Sequence, residues 1–574
     1  MPGGPIRKLT IIAQDPDVLA GNRILRAEVD VPNEALEPGP RGYRVQVVDY
    51  DSAADTLYAP LPIGLDEDPY KDAADRVLVH DPRFHQQNVY AIVMRTLARF
   101  ERALGRRVSW SFESHQITVA PHAFSDANAF YSPSDQALLF GYFPKSSGKG
   151  KVYACLSHDV VAHETAHALL DGLRERYMLP SSEDQAAFHE GYADIIALLS
   201  ILSLKEIVQV AIDYHKKGAD QHLIPKDLLT AEALGDSLLF GLAEQMGSEM
   251  DAVRGDALRR SVKLKPGKDY RADESYAEPH QRGEILVAAV MNAYLNVWLE
   301  RIKELGELRA GMVSRERVSE EGAETADRLL DMMVRALDYC PPTDILFEDF
   351  MSAVLTADAE INPDDSKYGF RNALRKSFAG YGIEPPSKGD KGREPGAWAA
   401  PQGEPIYSRS HFESMQRDPN EVFRFVWENR ILLGLSELAY TKVQSVRPCL
   451  RVGPDGFWLR ETVAEYIQML TLTAAELTAL GIRMPKPLKE LLGEKPIQIY
   501  GGSALIFDEY GKLKYVIGTG VLNKRRQSGR LEALWGGGYF EEGGLVRMRL
   551  ARLHRKRMTR WSPVMNDARE EVGR

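Results

Sequence analysis

The chain has 574 residues, with 72 Lys+Arg against 82 Asp+Glu and a formal net charge of −10. That length exceeds what one hydrophobic core accommodates and predicts about two to four domains, while the mild acidity argues against a nucleic-acid partner. Its three cysteines, Cys155, Cys340 and Cys449, lie far apart without CxxC spacing, which excludes a disulfide framework and an all-cysteine metal site and leaves buried thiols as the reading.

In chain order, the first segment shows no apolar signal region or cleavage site, and no run of 18 apolar residues occurs anywhere. This predicts a cytoplasmic protein without a membrane partner. Residues 8–13, 23–31 and 43–50 read as strands separated by turns such as Glu37-Pro38-Gly39-Pro40. A small β module over residues 1–80 follows, either a shield over the next lobe or a partner surface. Residues 88–104 carry apolar side chains at helical spacing, and 109–120 alternate as a strand does. An edge strand at 127–131, a strand at 137–143 and a Lys/Ser/Gly loop at 145–151 come next. Asn128 and Ala129 are placed to hold an extended peptide by strand addition. A plain edge strand with a turn-forming asparagine is the competing reading, and the residues alone favour it.

The chain is organised around residues 159–172, DVVAHETAHALLDG. At 3.6 residues per turn this is a helix with Asp159 as N-cap and Gly172 as stop. His163 and His167 are four residues apart and leave one face, and Glu164 between them completes HExxH. Two neutral imidazoles at that spacing hold one Zn²⁺, with the glutamate beside the bound water as general base. A catalytic zinc needs a third protein ligand and an open fourth position. Glu190 is the candidate, with 22 residues between it and His167. Pro180 and Ser181-Ser182 turn the chain so that a second helix runs antiparallel to the first. Asp194, one turn after Glu190, is placed to accept the other N–H of a ligand histidine. An exposed acidic helix start is the plainer reading of Glu190 and Asp194, but the apolar run at 191–204 favours the metal. His189 either supports a ligand histidine or caps the helix. Tyr177 is either packing in the connecting loop or a phenol donor to a developing oxyanion.

Residues 207–298 are mostly helical, with loops at 216–225 and 263–279. Arg259 either binds a substrate carbonyl through its planar fork or forms a surface ion pair. His280 opens the amphipathic helix 284–299, as a cap or as a stabiliser of negative charge, and Asp273, Glu274 and Glu278 compete as its acidic partner. After a helical stretch at 300–385, composition breaks into a Pro/Gly-rich linker at 386–405. Beyond it, 420–492 read as mainly helical, and 497–518 and 531–547 as strands, with turns at Glu509-Tyr510-Gly511-Lys512 and Gly536-Gly537-Gly538. Residues 406–574 thus form an α+β domain without a catalytic motif. The basic segment 547–560 reads as a solvated face, with an acidic partner as the alternative.

Over roughly residues 80–385 the chain resembles the thermolysin-like zinc metallopeptidases, whose pattern is HExxH followed by a glutamate ligand within ExxxD. Ser125-Asp126-Ala127-Asn128-Ala129-Phe130-Tyr131 is similar to that family's substrate-binding edge strand. Gly255-Asp256-Ala257-Leu258-Arg259 resembles its G-D-x-L-R piece, and Pro279-His280-Gln281-Arg282-Gly283 the segment with its second catalytic histidine. Residues 370–383 look like its closing helix. The resemblance implies a two-lobed α+β protease domain at 81–385, with a mixed β/α N-lobe and a helical C-lobe. It implies zinc on His163, His167 and Glu190, catalysis by Glu164 and His280 with Tyr177 as a further donor, and substrate contacts from Asn128, Ala129, Leu258 and Arg259. Calcium is not expected: an aspartate at the Asp159 position helps bind it in the family, but the acidic cluster that should follow Asp194 is replaced by IIALLSILSLKEIV.

The expected activity is zinc-dependent endopeptidase action on a protein or peptide. A zinc aminopeptidase and a catalytically silent binding or scaffold protein are the alternatives. The former needs an acidic site for the substrate amine near the edge strand, where only Asp126 is available. Lacking a long pro-segment, such a protease would need its access limited, and residues 406–574 are the candidate for that control or for a regulatory partner.

Overall fold

A computed structural model describes residues 5–145, 150–213, 222–235, 264–386, 393–541 and 544–545. Strands cluster at both ends of the chain and helices in its middle, an α+β arrangement as expected. The first 80 residues form no separate module. Strand β1 (Ile6–Ile12) pairs antiparallel with β2 (Arg26–Pro32), and β3 (Val45–Val47) pairs parallel with β4 (Ile117–Phe124). On the other side of β4 lies β6 (Ala137–Pro144), which also pairs antiparallel with β5 (Ala129–Ser132) and with β7 (Lys151–Tyr153). The N-terminal segment therefore supplies a strand to the central sheet. The strand expected from residue 109 begins only at Ile117.

Helix α1 (Asp75–His80) leads into α2 (Pro82–Leu104), which starts six residues before the expected position. Asp81 accepts from the Arg83 N–H, and Pro82 occupies the first turn, where its missing N–H costs nothing. The polar run Gln86-Gln87-Asn88 hides this start, because these residues are buried to bond backbone rather than to face water. Gln86 accepts from Leu61 N at 2.8 Å, and Gln87 donates to Thr10 O at 3.0 Å. Asn88 accepts from Ile12 N at 3.0 Å and donates to Cys155 O at 2.9 Å.

The helical part comprises α3 (His158–Leu173), α4 (Glu183–Leu202), α5 (Lys205–Asp213), α6 (Pro279–Glu304), α7 (Arg315–Ala336), α8 (Phe347–Ile361) and α9 (Phe370–Gly380). Among the described residues α6 is the one unbroken helix long and apolar enough to cross a bilayer, and 72% of its apolar window is buried inside the protein. It is a core helix.

After α10 (Pro419–Glu428), the region expected to be helical is instead a long hairpin, β8 (Tyr440–Val452) and β9 (Trp458–Leu472). It continues into β10 (Ile497–Asp508) and β11 (Leu513–Thr519), antiparallel in the order β8–β9–β10–β11. Both faces of β9 are covered. Val463 packs into the main core with Ala504 and Ile506, while Ala464 and Tyr466 pack with Leu505 and Phe507 against Val422 and Phe425 of α10. A strand buried on both faces loses its alternation and reads as a continuous apolar run. Of the strand expected at 531–547, residues 531–536 belong instead to α11 (Lys524–Gly536), while Phe540–Glu541 and Gly544–Leu545 pair as short antiparallel strands.

This C-terminal sheet shares the main core, and a buried ion network joins it to the helices. Asp338 accepts from Arg106 at 2.6 and 2.7 Å and pairs with Arg451, which also pairs with Glu461. Burial alone would raise the Asp338 carboxyl, but Arg106 and Arg451 outweigh it and hold it well below the usual carboxylate range. The described part of the expected linker is packed as well: Trp398 donates from Nε1 to Tyr339 O at 2.9 Å and from its backbone N–H to Thr356 Oγ1 at 2.8 Å.

Arg451→Ala leaves Asp338 and Glu461 under-compensated in the interior and should cost about 3–5 kcal/mol in urea unfolding. Because the folded Asp338 carboxyl titrates below its unfolded value, its contribution is complete above about pH 4 and is lost on acidification. The cost of the variant should therefore shrink below that pH. A chain ended at residue 385 should lose cooperative unfolding, since its core would face water where the C-terminal sheet now packs.

Candidate metal centre

Helix α3 starts at His158 with Ser157 as its N-cap, and Ser157 Oγ donates to Asp15 Oδ2 at 2.6 Å. Asp159 is therefore not the cap; it sits inside the first turn, where its charge suits the helix dipole. Burial raises the Asp15 carboxyl to about 6. Nor does Gly172 end the helix, which runs on to Leu173. A Cβ at Gly172 would lie 2.1 Å from Ser109 O, so glycine is needed there for close approach of backbone.

One turn apart on α3, His163 and His167 bring their Nε2 atoms to 2.9 Å from each other. Glu190, from the middle of α4, places Oε2 at 3.6 Å from the first and 3.7 Å from the second. All three residues are buried. Zinc–ligand bonds of about 2.0–2.1 Å at tetrahedral angles give ligand-to-ligand edges of about 3.3 Å. Both the donor set, two imidazoles and a carboxylate, and the size of this triangle fit a metal ion.

The far nitrogens of the two rings are held. His163 Nδ1 lies 2.8 Å from Asp194 Oδ1, which fixes the proton there and turns the Nε2 lone pair inward. His167 Nδ1 lies 2.8 Å from His189 Nδ1, so His189 supports a candidate ligand rather than capping α4; Ser182 is the cap. Burial holds His167 below its usual pKa despite the Glu190 carboxylate, which favours the neutral ring that binds metals.

Glu164 is buried beside the pair, and its Oε2 accepts from Tyr131 N at 3.1 Å. Tyr131 belongs to edge strand β5, and its hydroxyl donates to Asp171 Oδ2 at 3.0 Å, so the strand is tied to α3 at two points. His280, in the first turn of α6, places Nε2 at 3.3 Å from Glu190 Oε2 and Nδ1 at 2.8 Å from Glu278 Oε1. Glu278 is thus the acidic partner among the three candidates. It is also the cap of α6, accepting from Gln281 N at 3.1 Å. Burial would raise its carboxyl, but the bonds to His280 and the helix start hold it below the usual value.

What sets His280 against Glu190 is a crossing of glycines. A Cβ on Gly191 would lie 2.9 Å from Gly283 O, and one on Gly283 would lie 3.0 Å from Ala187 O, so α4 and α6 touch backbone to backbone. Arg282 Nε adds a buried 2.6 Å bond to Asp184 Oδ1 in the first turn of α4.

Other expected site residues fall elsewhere. Tyr177 is fully buried, donates its hydroxyl to Pro341 O at 2.6 Å and packs edge-on to Phe188. It is a packing residue and not an oxyanion donor. Asn128 gives its carbonyl to Gly141 N and its amide oxygen to Ala129 N, both at 2.9 Å, so these acceptors serve the strand instead of a peptide. Ala129 is likewise buried in β5. Leu258 and Arg259 lie outside the described residues. Sequence reading placed Tyr131 in the edge strand without its bond to Glu164, and it did not find Arg447, which donates to the Leu173 carbonyl at the end of α3 at 3.2 Å. No local pattern marks these contacts, because each acts across a long separation in the chain.

No protein-family model matches the chain, and no curated protein is significantly similar to it.

Asp194→Ala and His189→Ala should each weaken metal affinity about 10–100-fold, measured by chelator competition, since each frees one ligand ring to turn. Gly283→Ala should cost about 1–3 kcal/mol in urea unfolding by forcing the two helices apart.

Proposed function

We propose that the chain is a zinc-dependent endopeptidase of thermolysin-like design, acting on a protein or peptide substrate. The observation that carries this reading is the triangle of His163, His167 and Glu190 donors, with Glu164 next to the first ligand and hydrogen-bonded to an edge strand. When bound there, zinc supplies Lewis-acid polarisation of a substrate carbonyl and makes a water more acidic.

The chain's own residues do the rest. Glu164 has one carboxylate oxygen held by the Tyr131 N–H, which orients it to take a proton from water and pass it to the leaving amine. His280 is braced through Nδ1 by Glu278, its Nε2 faces the Glu190 carboxylate, and with both ring nitrogens protonated the Nε2–H can donate to an oxyanion developing on the substrate. Asp194 and His189 keep the two ligand rings from rotating. Strand β5 brings extended backbone to the general base, the arrangement that strand addition of a peptide needs.

Glu164→Gln should retain the metal and lower casein cleavage at least about 10²–10⁴-fold, the range for loss of a general base. His163→Ala and Glu190→Ala should lose metal and activity together. A Glu164→Gln protein that cleaves as fast as the unaltered chain would refute the assignment. Cleavage of aminoacyl anilides without digestion of casein would point to an aminopeptidase instead. Unaltered casein and anilides with zinc bound at His163, His167 and Glu190 would point to a binding protein.

A further inference from the structure

A second group of buried donors lies outside the centre described above. His85 in α2, His122 in β4 and Cys155, three residues before α3, have ligand atoms within 4.8 Å of one another. His85 Nδ1 and His122 Nε2 face each other at 2.8 Å. Their other nitrogens fix which atoms carry protons. His85 Nε2 lies 3.0 Å from Val79 O, a carbonyl that can only accept, so the proton is on Nε2 and Nδ1 presents a lone pair. His122 Nδ1 lies 2.7 Å from Asp49 Oδ1, whose other oxygen accepts from Gln86 Nε2 at 3.0 Å. With Asp49 ionised, the His122 proton is on Nδ1 and its Nε2 also presents a lone pair. Two lone pairs then point at each other across 2.8 Å, which is repulsive unless a cation stands between them.

That cation is either one extra proton on the Asp49–His122–His85 chain or a metal ion. Cys155 favours the metal. It is a third donor in the same place, and N/S ligand sets of this kind select zinc and similar d¹⁰ ions. Tetrahedral zinc sets ligand atoms about 3.3 Å apart for two nitrogens and about 3.6 Å for nitrogen and sulfur. The two nitrogens, 2.8 Å apart, reach that spacing by a shift of about half an ångström, and the Cys155 sulfur lies within 4.8 Å of both rings' ligand atoms. Asp49 and the Val79 carbonyl already hold the outer nitrogens, as supports of ligand histidines do. The Tyr153 ring, 4.8 Å from His85 and 5.3 Å from His122 between centroids, covers the group.

We propose that His85, His122 and Cys155 supply three protein ligands to a second metal site, occupied by zinc and separate from the His163–His167–Glu190 centre. Binding forms two N–metal bonds and one S–metal bond and releases the Cys155 thiol proton to solvent. The ion would staple the start of α2 and strand β4 to the segment that leads into α3.

The test exploits the thiolate, which the first centre lacks. Full-length protein is stripped with a chelator and titrated with Co²⁺ alone. The expected result is a near-ultraviolet thiolate-to-cobalt charge-transfer band that persists in His163→Ala, Cys340→Ser and Cys449→Ser and disappears in Cys155→Ser. As-purified protein should hold about two zinc ions per chain and His163→Ala about one. A refolded wild-type chain that binds cobalt with no thiolate band overturns the proposal without using any variant. In that case a shared proton joins the two rings. Because the band does not report on the His₂Glu centre, failure here and failure of the peptidase reading are separately visible.

Discussion

Two imidazole nitrogens and a carboxylate oxygen held within 2.9–3.7 Å of one another in the protein's interior set the terms for this fold. Bringing such groups out of water costs several kcal/mol per ion unless each is partnered. The protein meets that cost by holding every element around them rigidly. Helices α4 and α6 can bring Glu190 and His280 together only because Gly191 and Gly283 allow backbone to touch backbone. Any side chain at that crossing would move His280 away from the carboxylate it faces.

The helix that carries both histidines is clamped at its two ends by distant parts of the chain. At its start, Asn88 bonds the Cys155 carbonyl and Asp15 accepts from Ser157, so the N-terminal strands and α2 fix where α3 begins. At its end, Arg447 and the Arg174–Glu465 pair join it to the C-terminal sheet, while Tyr131 bonds Asp171 from the edge strand. The C-terminal sheet is thus part of the support of the centre. A cover on a loose tether would compete with substrate at an effective concentration set by its linker, but a sheet that shares the core has no such freedom. Control by swinging this domain away would first require breaking the Asp338–Arg451–Glu461 network.

The donor set itself was legible in the sequence. HExxH sets its two imidazoles on one face through helical period alone, and the ExxxD spacing repeats that logic for Glu190 and Asp194. Apolar flanks showed that both helices are buried. The start of α6 was legible only in part: the helix was expected from residue 284 but begins at Pro279 with Glu278 as its cap, and the spacing did not single out Glu278 as the partner of His280. Strands β10 and β11 were visible because a tight turn separates them.

Other features were decided only by tertiary structure. Strand β9 read as helix because burial on both faces removes alternation, and only the packing partners distinguish such a strand from a core helix. Tyr177 matched a pattern, but its hydroxyl direction depends on Pro341, 164 residues away in the chain. The roles of His189 and Tyr131, and the facing lone pairs of His85 and His122, likewise arise between elements remote in sequence. Periodicity and capping act within a few residues and can be read from the chain itself. Which proton meets which acceptor across a core is set by how helices and sheets pack, and by itself the sequence determined only which residues were available to meet.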